Sequence, residues 1–248
     1  MYSNKIKDID ILQEEINAFR PLEEQELQNL QQHFRVNLTY TSNALEGNSL
    51  SELEIKLALV EDNVASKKKD YFEVIGHSKA YDYLLKVSEE NIITESAILE
   101  LHKLFYYHIN MDDAGKYRRE KISIVGTDFV PPSPDIVPLL MKDFIAGVPN
   151  LKKEWHPVEY AALLHKELVT IHPFIHGNGQ TARLLMNLAL VQNGYVVTVI
   201  PPTVRDDYIS ALRESLVETG DHTPFVNFIS CMVYDSQKDY LKLLKALG

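Results

Sequence analysis

The run Ile171–Asn187, IHPFIHGNGQTARLLMN, constrains this chain more than any other stretch. The helical pattern after Gly179 continues through Leu184, Leu185, Leu188, Ala189 and Val191 and is apolar nearly all round. A helix of that kind is buried on every side, so it is expected at the centre of the fold, with Asn193-Gly194 as its stop. What precedes it has chemical uses. His172 can take up a proton near neutral pH. Gly177 and Gly179 let the backbone approach a ligand without a Cβ in the way. The helix that starts around Gly179 points unpaired N–H groups back at the loop, where they hold phosphate well. Arg183 falls one turn into that helix, and its fork of donors can reach an outer phosphate. The run reads as an anion cradle beside a base. It does not read as a metalloprotease helix, because Pro173 stands where HExxH needs glutamate. It is no Walker loop either, because no Lys-Ser/Thr pair follows the glycines.

Composition narrows the class. The 248 residues, 45% of them hydrophobic, suffice for a real core, and a net charge of −10 argues against binding along a nucleic-acid backbone. The single Cys231 permits no internal disulfide and fits a reducing cytoplasm. The polar start MYSNKIKDID is not expected to be a signal peptide, and no apolar run is long enough to span a bilayer. No internal repeat or low-complexity linker divides the chain, so residues 1–248 are expected to form one domain.

Hydrophobic spacing predicts helices almost throughout. Leu12–Phe19 forms a short one that stops at Arg20-Pro21. Leu27, Leu30, Phe34 and Leu38 mark one face of a longer helix that stops at Gly47-Asn48. Ser42 and Glu46 share a face on its last turn, where an acid opposes the helix dipole and calls for solvent or a cationic partner. Ser51 and Glu54 form a capping box before Ile55–Val60. Lys67-Lys68-Lys69 reads as a solvated loop. Further helices run from Phe72 to Val87, from Thr94 through Phe105, from Pro134 to Ile145 and from His156 to Ile171. His165 lies on the apolar stripe of the last of these and is expected to be a satisfied core histidine. Lys121–Val130, KISIVGTDFV, breaks the pattern and reads as a small hairpin closed by Pro131-Pro132. Val196–Ile200 is a short extended stretch before Pro201-Pro202. Asp207-Tyr208 opens another helix, and Phe225–Leu247 is the last.

The central run resembles the motif of the Fic family (filamentation induced by cAMP), HPFx(D/E)GNGRxxR. It matches at His172, Pro173, Phe174, Gly177, Asn178, Gly179 and Arg183. It departs at His176, where the family has an acid, and at Gln180, where it has arginine. Ser42–Gly47 resembles the family's inhibitory helix motif, (S/T)xxxE(G/N), placed within residues 1–50 and ahead of the core. The resemblance implies an all-α Fic fold, a helical bundle with a small β-hairpin flap. It implies a protein adenylyltransferase that moves AMP from ATP to a Ser, Thr or Tyr hydroxyl of a protein target, the chain itself being one candidate. In that picture His172 is the catalytic base. ATP is bound by Gly177, Asn178, Gly179, Gln180, Arg183 and the aromatic Tyr208. Asn178 adds a side-chain donor and Tyr208 packs on the adenine. Ser42 and Glu46 are inhibitory and pair with Arg183 when ATP is absent. The flap residues Ile124, Val125, Gly126 and Thr127 dock the target by strand addition. A divalent ion, Mg²⁺ or Mn²⁺, is expected with ATP. His176 stands where the family's acid helps to hold it, and imidazole suits Mn²⁺ better than Mg²⁺. A homodimer is compatible with this picture; a nucleic-acid or membrane partner is not. Two alternatives remain open: a catalytically silent nucleotide-binding module, and hydrolytic removal of AMP by water that Glu46 orients. Phosphocholine transfer is a third, weaker option.

Overall fold

The computed structural model describes residues 2–61, 69–124, 129–216 and 220–247. Among them are α1 (Ile6–Asn17), α2 (Glu24–Ala44), α3 (Glu52–Glu61), α4 (Lys69–Ser88), α5 (Glu95–Tyr106), α6 (Val137–Glu154), α7 (Pro157–Ile171), α8 (Asn178–Gln192), α9 (Arg205–Leu216) and α10 (Thr223–Leu247). No strand occurs among the described residues. The fold is all-α.

Local chemistry sets most of the helix starts. Glu23 and Glu26 close a reciprocal capping box on α2. The Ser51–Glu54 box forms ahead of α3, with the Glu54 carboxylate accepting from the Ser51 N–H at 2.8 Å. Thr94 caps α5 by accepting from the Ala97 N–H at 3.1 Å. His156 caps α7 through Nδ1, and Pro157 occupies the first helical position.

α8 is the axis of the molecule. Ala182, Leu184, Leu185, Met186, Leu188, Ala189 and Leu190 are all completely buried. α7 and α4 flank α8, with α5 and the end of α2 completing its shell, while α10 packs on α7, α9 and α1. Burying a leucine fully is worth about 1.5–3 kcal/mol, so one helix carrying so many of them anchors everything attached to its N-terminus.

Some boundaries differ from the sequence expectation. α1 lies earlier than Leu12–Phe19. α6 runs past Ile145 to Glu154 and through Pro149. A proline inside a helix costs about 3 kcal/mol, but the stripe Met141, Phe144 and Val148 stays buried and keeps the helix continuous. Val196–Ile200 is unpaired as a strand because side chains take its backbone groups. Asn187 accepts from the Thr198 N–H at 2.7 Å and donates to the Thr198 carbonyl at 3.0 Å, and Ser236 accepts from the Val199 N–H at 3.2 Å.

The hairpin expected over 121–130 is corrected in part. Lys121–Ile124 and Phe129–Val130 carry no strand ladder. Pro131 and Pro132 bring no N–H, and the carbonyls of Glu120 and Pro132 accept from Arg118 instead of from a neighbouring strand. Val125, Gly126 and Thr127 lie outside the described residues, as do Lys67 and Lys68; Lys69 pairs with Glu73 at 3.4 Å.

Candidate active site

The site is built where α7 hands over to α8. α7 ends at His172, which sits in the left-handed region (φ 50°, ψ 59°) and closes the last turn with its N–H on the Leu168 carbonyl at 2.9 Å. That geometry costs a non-glycine residue about 1–3 kcal/mol and turns the chain sharply into the loop. His172 Nδ1 lies 3.2 Å from the Val169 carbonyl. A carbonyl only accepts, so Nδ1 carries the proton and Nε2 keeps its lone pair for the cleft. Burial pulls the His172 pKa down to about 4; the Val169 carbonyl opposes this, the Arg118 cation adds to it, and Glu46 opposes it. His172 is therefore neutral at pH 7, the form a base requires.

The loop between them is stapled from within. Asn178 accepts from the Phe174 N–H at 2.9 Å and donates to the Phe174 carbonyl at 2.8 Å. Its side chain is thus spent on the loop, and its backbone is what it offers a phosphate. His102 on α5 stacks on the Phe174 ring, with centroids 3.7 Å apart and planes 3° apart. His102 Nδ1 accepts from the Gly115 N–H at 2.9 Å and Nε2 lies 3.1 Å from the His176 carbonyl, which fixes the neutral Nε2–H form. Gly177 (φ +77°) is required by packing, since a Cβ there would meet the Phe105 ring at 2.7 Å.

Arg183 is 1% exposed and spends its donors on three residues. Nε donates to the Ser42 hydroxyl at 2.9 Å, and Nη2 to the Ser42 carbonyl at 2.8 Å and to Glu46 Oε1 at 2.8 Å. Nη1 donates to the Tyr208 hydroxyl at 3.2 Å. The pairing expected between Glu46 and Arg183 is thus formed. Arg205 fixes the same end of α2 by donating to the Leu45 carbonyl at 2.8 Å. Gly179 makes the contact possible, because a Cβ there would overlap the Glu46 carboxylate. The Tyr208 hydroxyl also lies 2.9 Å from His165 Nε2. His165 is fully buried, yet its Nδ1 has no partner among the described residues, so it is a half-satisfied core histidine.

A cleft of about 600 Å³ opens over this arrangement. His172, His176, Gly177, Asn178, Gly179, Gln180, Tyr208, Glu46 and Ile124 all line it, so the structure brings most of the sequence candidates together. Arg183 and Ser42 are behind this lining, screened by Glu46. Ile209, Leu212 and Leu216 on α9 add an apolar wall. The reading of the sequence missed Arg118 and His102. An arginine beside Tyr117 carries no local signal, and His102 is marked only by its place on the apolar face of α5.

Among the described residues the donor set does not fit a divalent ion held by protein alone. Among the described residues no cluster of three His, Cys, Asp or Glu occurs, and Glu46, the only carboxylate among those that line the cleft, is bonded to Arg183. His176 faces the cleft as a lone imidazole.

The buried histidines make a pH prediction. Burial lowers His77 to about 3 and His102 to about 4, and holds His165 well below its ordinary value of 6.5. A lowered folded pKa means stability that is complete above 6.5 and lost as pH falls from there toward the folded values. With His172, also lowered to about 4, unfolding near pH 5 is therefore expected to take up about four protons, read from the pH dependence of the urea midpoint. A midpoint unchanged between pH 7 and 5 would show these imidazoles to be solvated.

No helix among the described residues is long and apolar enough to cross a membrane. The family model described as Fic/DOC matches residues 92–190. Protein adenylyltransferase Fic of Drosophila yakuba is 37% identical over 196 residues, which cover 77% of this chain and 39% of that protein. The protein of the same name from Nematostella vectensis is 36% identical over 197 residues, covering 77% and 45%. The chain thus spans about two fifths of the length of these curated relatives. Among solved structures, a Fic domain containing signaling protein from Bacteroides thetaiotaomicron superposes with a TM-score of 0.87 at 29% identity, covering 96% of this chain and 98% of the other. A fragment of Fic-1 from C. elegans gives a TM-score of 0.85 at 27% identity, covering 98% and 72%.

Proposed function

We propose, for a chain that belongs to the Fic/DOC family, that it transfers AMP from ATP to a hydroxyl side chain of a protein. The observation that carries this reading is the neutral His172, with Nε2 free, beside the unpaired amides at the start of α8 in a cleft of nucleotide size. Curated relatives named protein adenylyltransferase support it.

In this reading the α-phosphate lies against the backbone N–H groups of Gly177 to Gln180, which neutralise its oxygens. The target hydroxyl oxygen attacks the α-phosphorus in line. His172 Nε2 takes the hydroxyl proton, the bond to the β-phosphate breaks and pyrophosphate leaves. The reaction relies on positioning and charge neutralisation more than on covalent chemistry by the protein. Tyr208 spends its hydroxyl on Arg183 and His165, so the wall for the adenine is shared with Ile209 and Leu212. Ile124 and Phe129 belong to the wall that meets the target; Val125, Gly126 and Thr127 complete the docking segment. Gln180 brings no fixed charge where the family motif has arginine. ATP therefore depends on Arg183 for its outer phosphates, and no step runs through a protein-held metal.

Ser42 and Glu46 act as an inhibitory segment in the same reading, because Arg183 cannot serve the outer phosphates while it serves them. A second reading is hydrolysis of the AMP ester, favoured by one observation: Glu46 bonds Arg183 through Oε1 only, which leaves Oε2 to orient water in the cleft.

Incubation with α-labelled ATP tests the proposal, since a silent nucleotide-binding module binds without labelling protein. The pH profile tests the base. The acid limb of kcat/KM, which reports the free enzyme, is expected near the lowered His172 pKa of about 4, with activity lost as pH falls through it. Bound phosphates raise that pKa, so the limb of kcat belongs at higher pH. A kcat/KM limb at 6.5 would show a solvated base.

A further inference from the structure

Arg118 is a buried cation with no counterion among the described residues. It is 5% exposed, and among the described residues no carboxylate lies within ion-pair reach. Its guanidinium instead meets three main-chain carbonyls. Nε donates to His172 at 2.7 Å, Nη1 to Glu120 at 3.1 Å and Nη2 to Pro132 at 2.6 Å. Its own N–H donates to the Pro173 carbonyl at 2.9 Å. Burying a cation is costly unless its donors are met, and here they are met in three directions by one planar fork.

The choice of carbonyls is informative. His172 is the residue with the free Nε2. Glu120 and Pro132 bracket the segment whose Lys121, Ile122, Ser123, Ile124 and Phe129 form one wall of the cleft. That wall has no strand ladder among the described residues to hold its ends together. A general support for the core would tie helices; this side chain ties both ends of the wall to the backbone of the base.

We propose that Arg118 is a positioning residue for AMP transfer: it locks Lys121–Ile124, Phe129–Pro131 and the left-handed His172 backbone into one body, so that a hydroxyl laid on these residues arrives in line with Nε2. The kinetic part of this rests on the transferase reading above; the mechanical part does not. Displacements of about 1 Å at a reacting centre are enough to cost 10²-fold in rate. Lysine keeps the charge but brings a single ammonium that cannot span three carbonyls in a plane.

The test is amide hydrogen exchange on the full chain, comparing wild type with Arg118→Lys and Arg118→Gln, with self-labelling by α-labelled ATP measured alongside. Both variants are expected to exchange at least about tenfold faster at the amides of Lys121, Ile122, Ser123, Ile124, Phe129, Val130, Ser133, His172 and Phe174 together, since losing even one hydrogen bond to a charged group is worth that much. Protection of the α8 interior is expected to stay at the wild-type level. Turnover is expected to fall about 10²-fold in both variants while the ATP concentration for half-saturation is unchanged. Unchanged exchange in the wall would overturn the proposal. So would loss of protection across α7 and α8 in both variants, which would make Arg118 a general support. Absence of labelling by wild type would count against the transferase reading, while the exchange data would still decide the mechanical claim.

Discussion

Replacement of His172 by alanine is expected to lower AMP transfer by about 10²–10⁴-fold while nucleotide still binds. Nε2 carries the free lone pair in the cleft. Nδ1 is fixed by Val169, and burial keeps the ring neutral. Alanine in the left-handed turn adds strain of about 1–2 kcal/mol, which would blur a stability effect with a catalytic one. His172→Asn separates them, because asparagine tolerates that backbone and has no basic nitrogen. Both variants are expected to bind a non-hydrolysable ATP analogue with wild-type affinity and to fail in transfer. Near wild-type labelling by His172→Asn would remove His172 from the chemistry.

Glu46→Gly is expected to raise transfer by about 10- to 100-fold, the equivalent of one hydrogen bond between charged groups. Ser42, Glu46 and Tyr208 hold all three nitrogens of Arg183, and Glu46 is the only charged partner among them. Its carboxylate is 40% exposed, so solvent screens the pair and removal should cost the fold little. What it releases is a buried guanidinium with an open direction toward the cleft, which an incoming phosphate satisfies. Glu46→Gln keeps an acceptor and loses the charge, so its rate should lie between the two. Equal initial rates for wild type and Glu46→Gly would leave the contact as a structural feature with no inhibitory role.

Much of this site was legible because its parts are local. His172, the glycine loop and the buried helix follow one another within Ile171–Val191. The Ser42–Glu46 spacing shows both residues on one helical face. An acid at the dipole-opposed end of α2 called only for solvent or a cation; the family resemblance supplied Arg183, 137 residues away, as its partner. Other parts depend on pairings that no spacing encodes. Arg118 works through carbonyls, which every residue possesses, so its partners leave no mark in the sequence. Asn178 looked like a ligand donor because its type suits a phosphate, yet its amide complements the Phe174 backbone. The hairpin over 121–130 was inferred from β-branched residues and a glycine, but strands also need a partner edge. Here Arg118 takes the carbonyls at either end and the two prolines offer no N–H. The continuation of α6 through Pro149 was hidden for the opposite reason: a local breaker is overruled by a stripe that stays buried.

The central claim is that the cleft passes the α-phosphate of ATP to a protein hydroxyl under the control of Glu46. The most direct measurement compares ATP labelled at the α- and γ-phosphates, incubated with wild type, Glu46→Gly and the Glu46→Gly/His172→Asn double variant. The predicted result is α-label bound covalently to protein at a higher rate in Glu46→Gly than in wild type, none in the double variant and no γ-label in any. Protein labelled from the γ-phosphate, or no α-label in Glu46→Gly despite bound nucleotide, would contradict it.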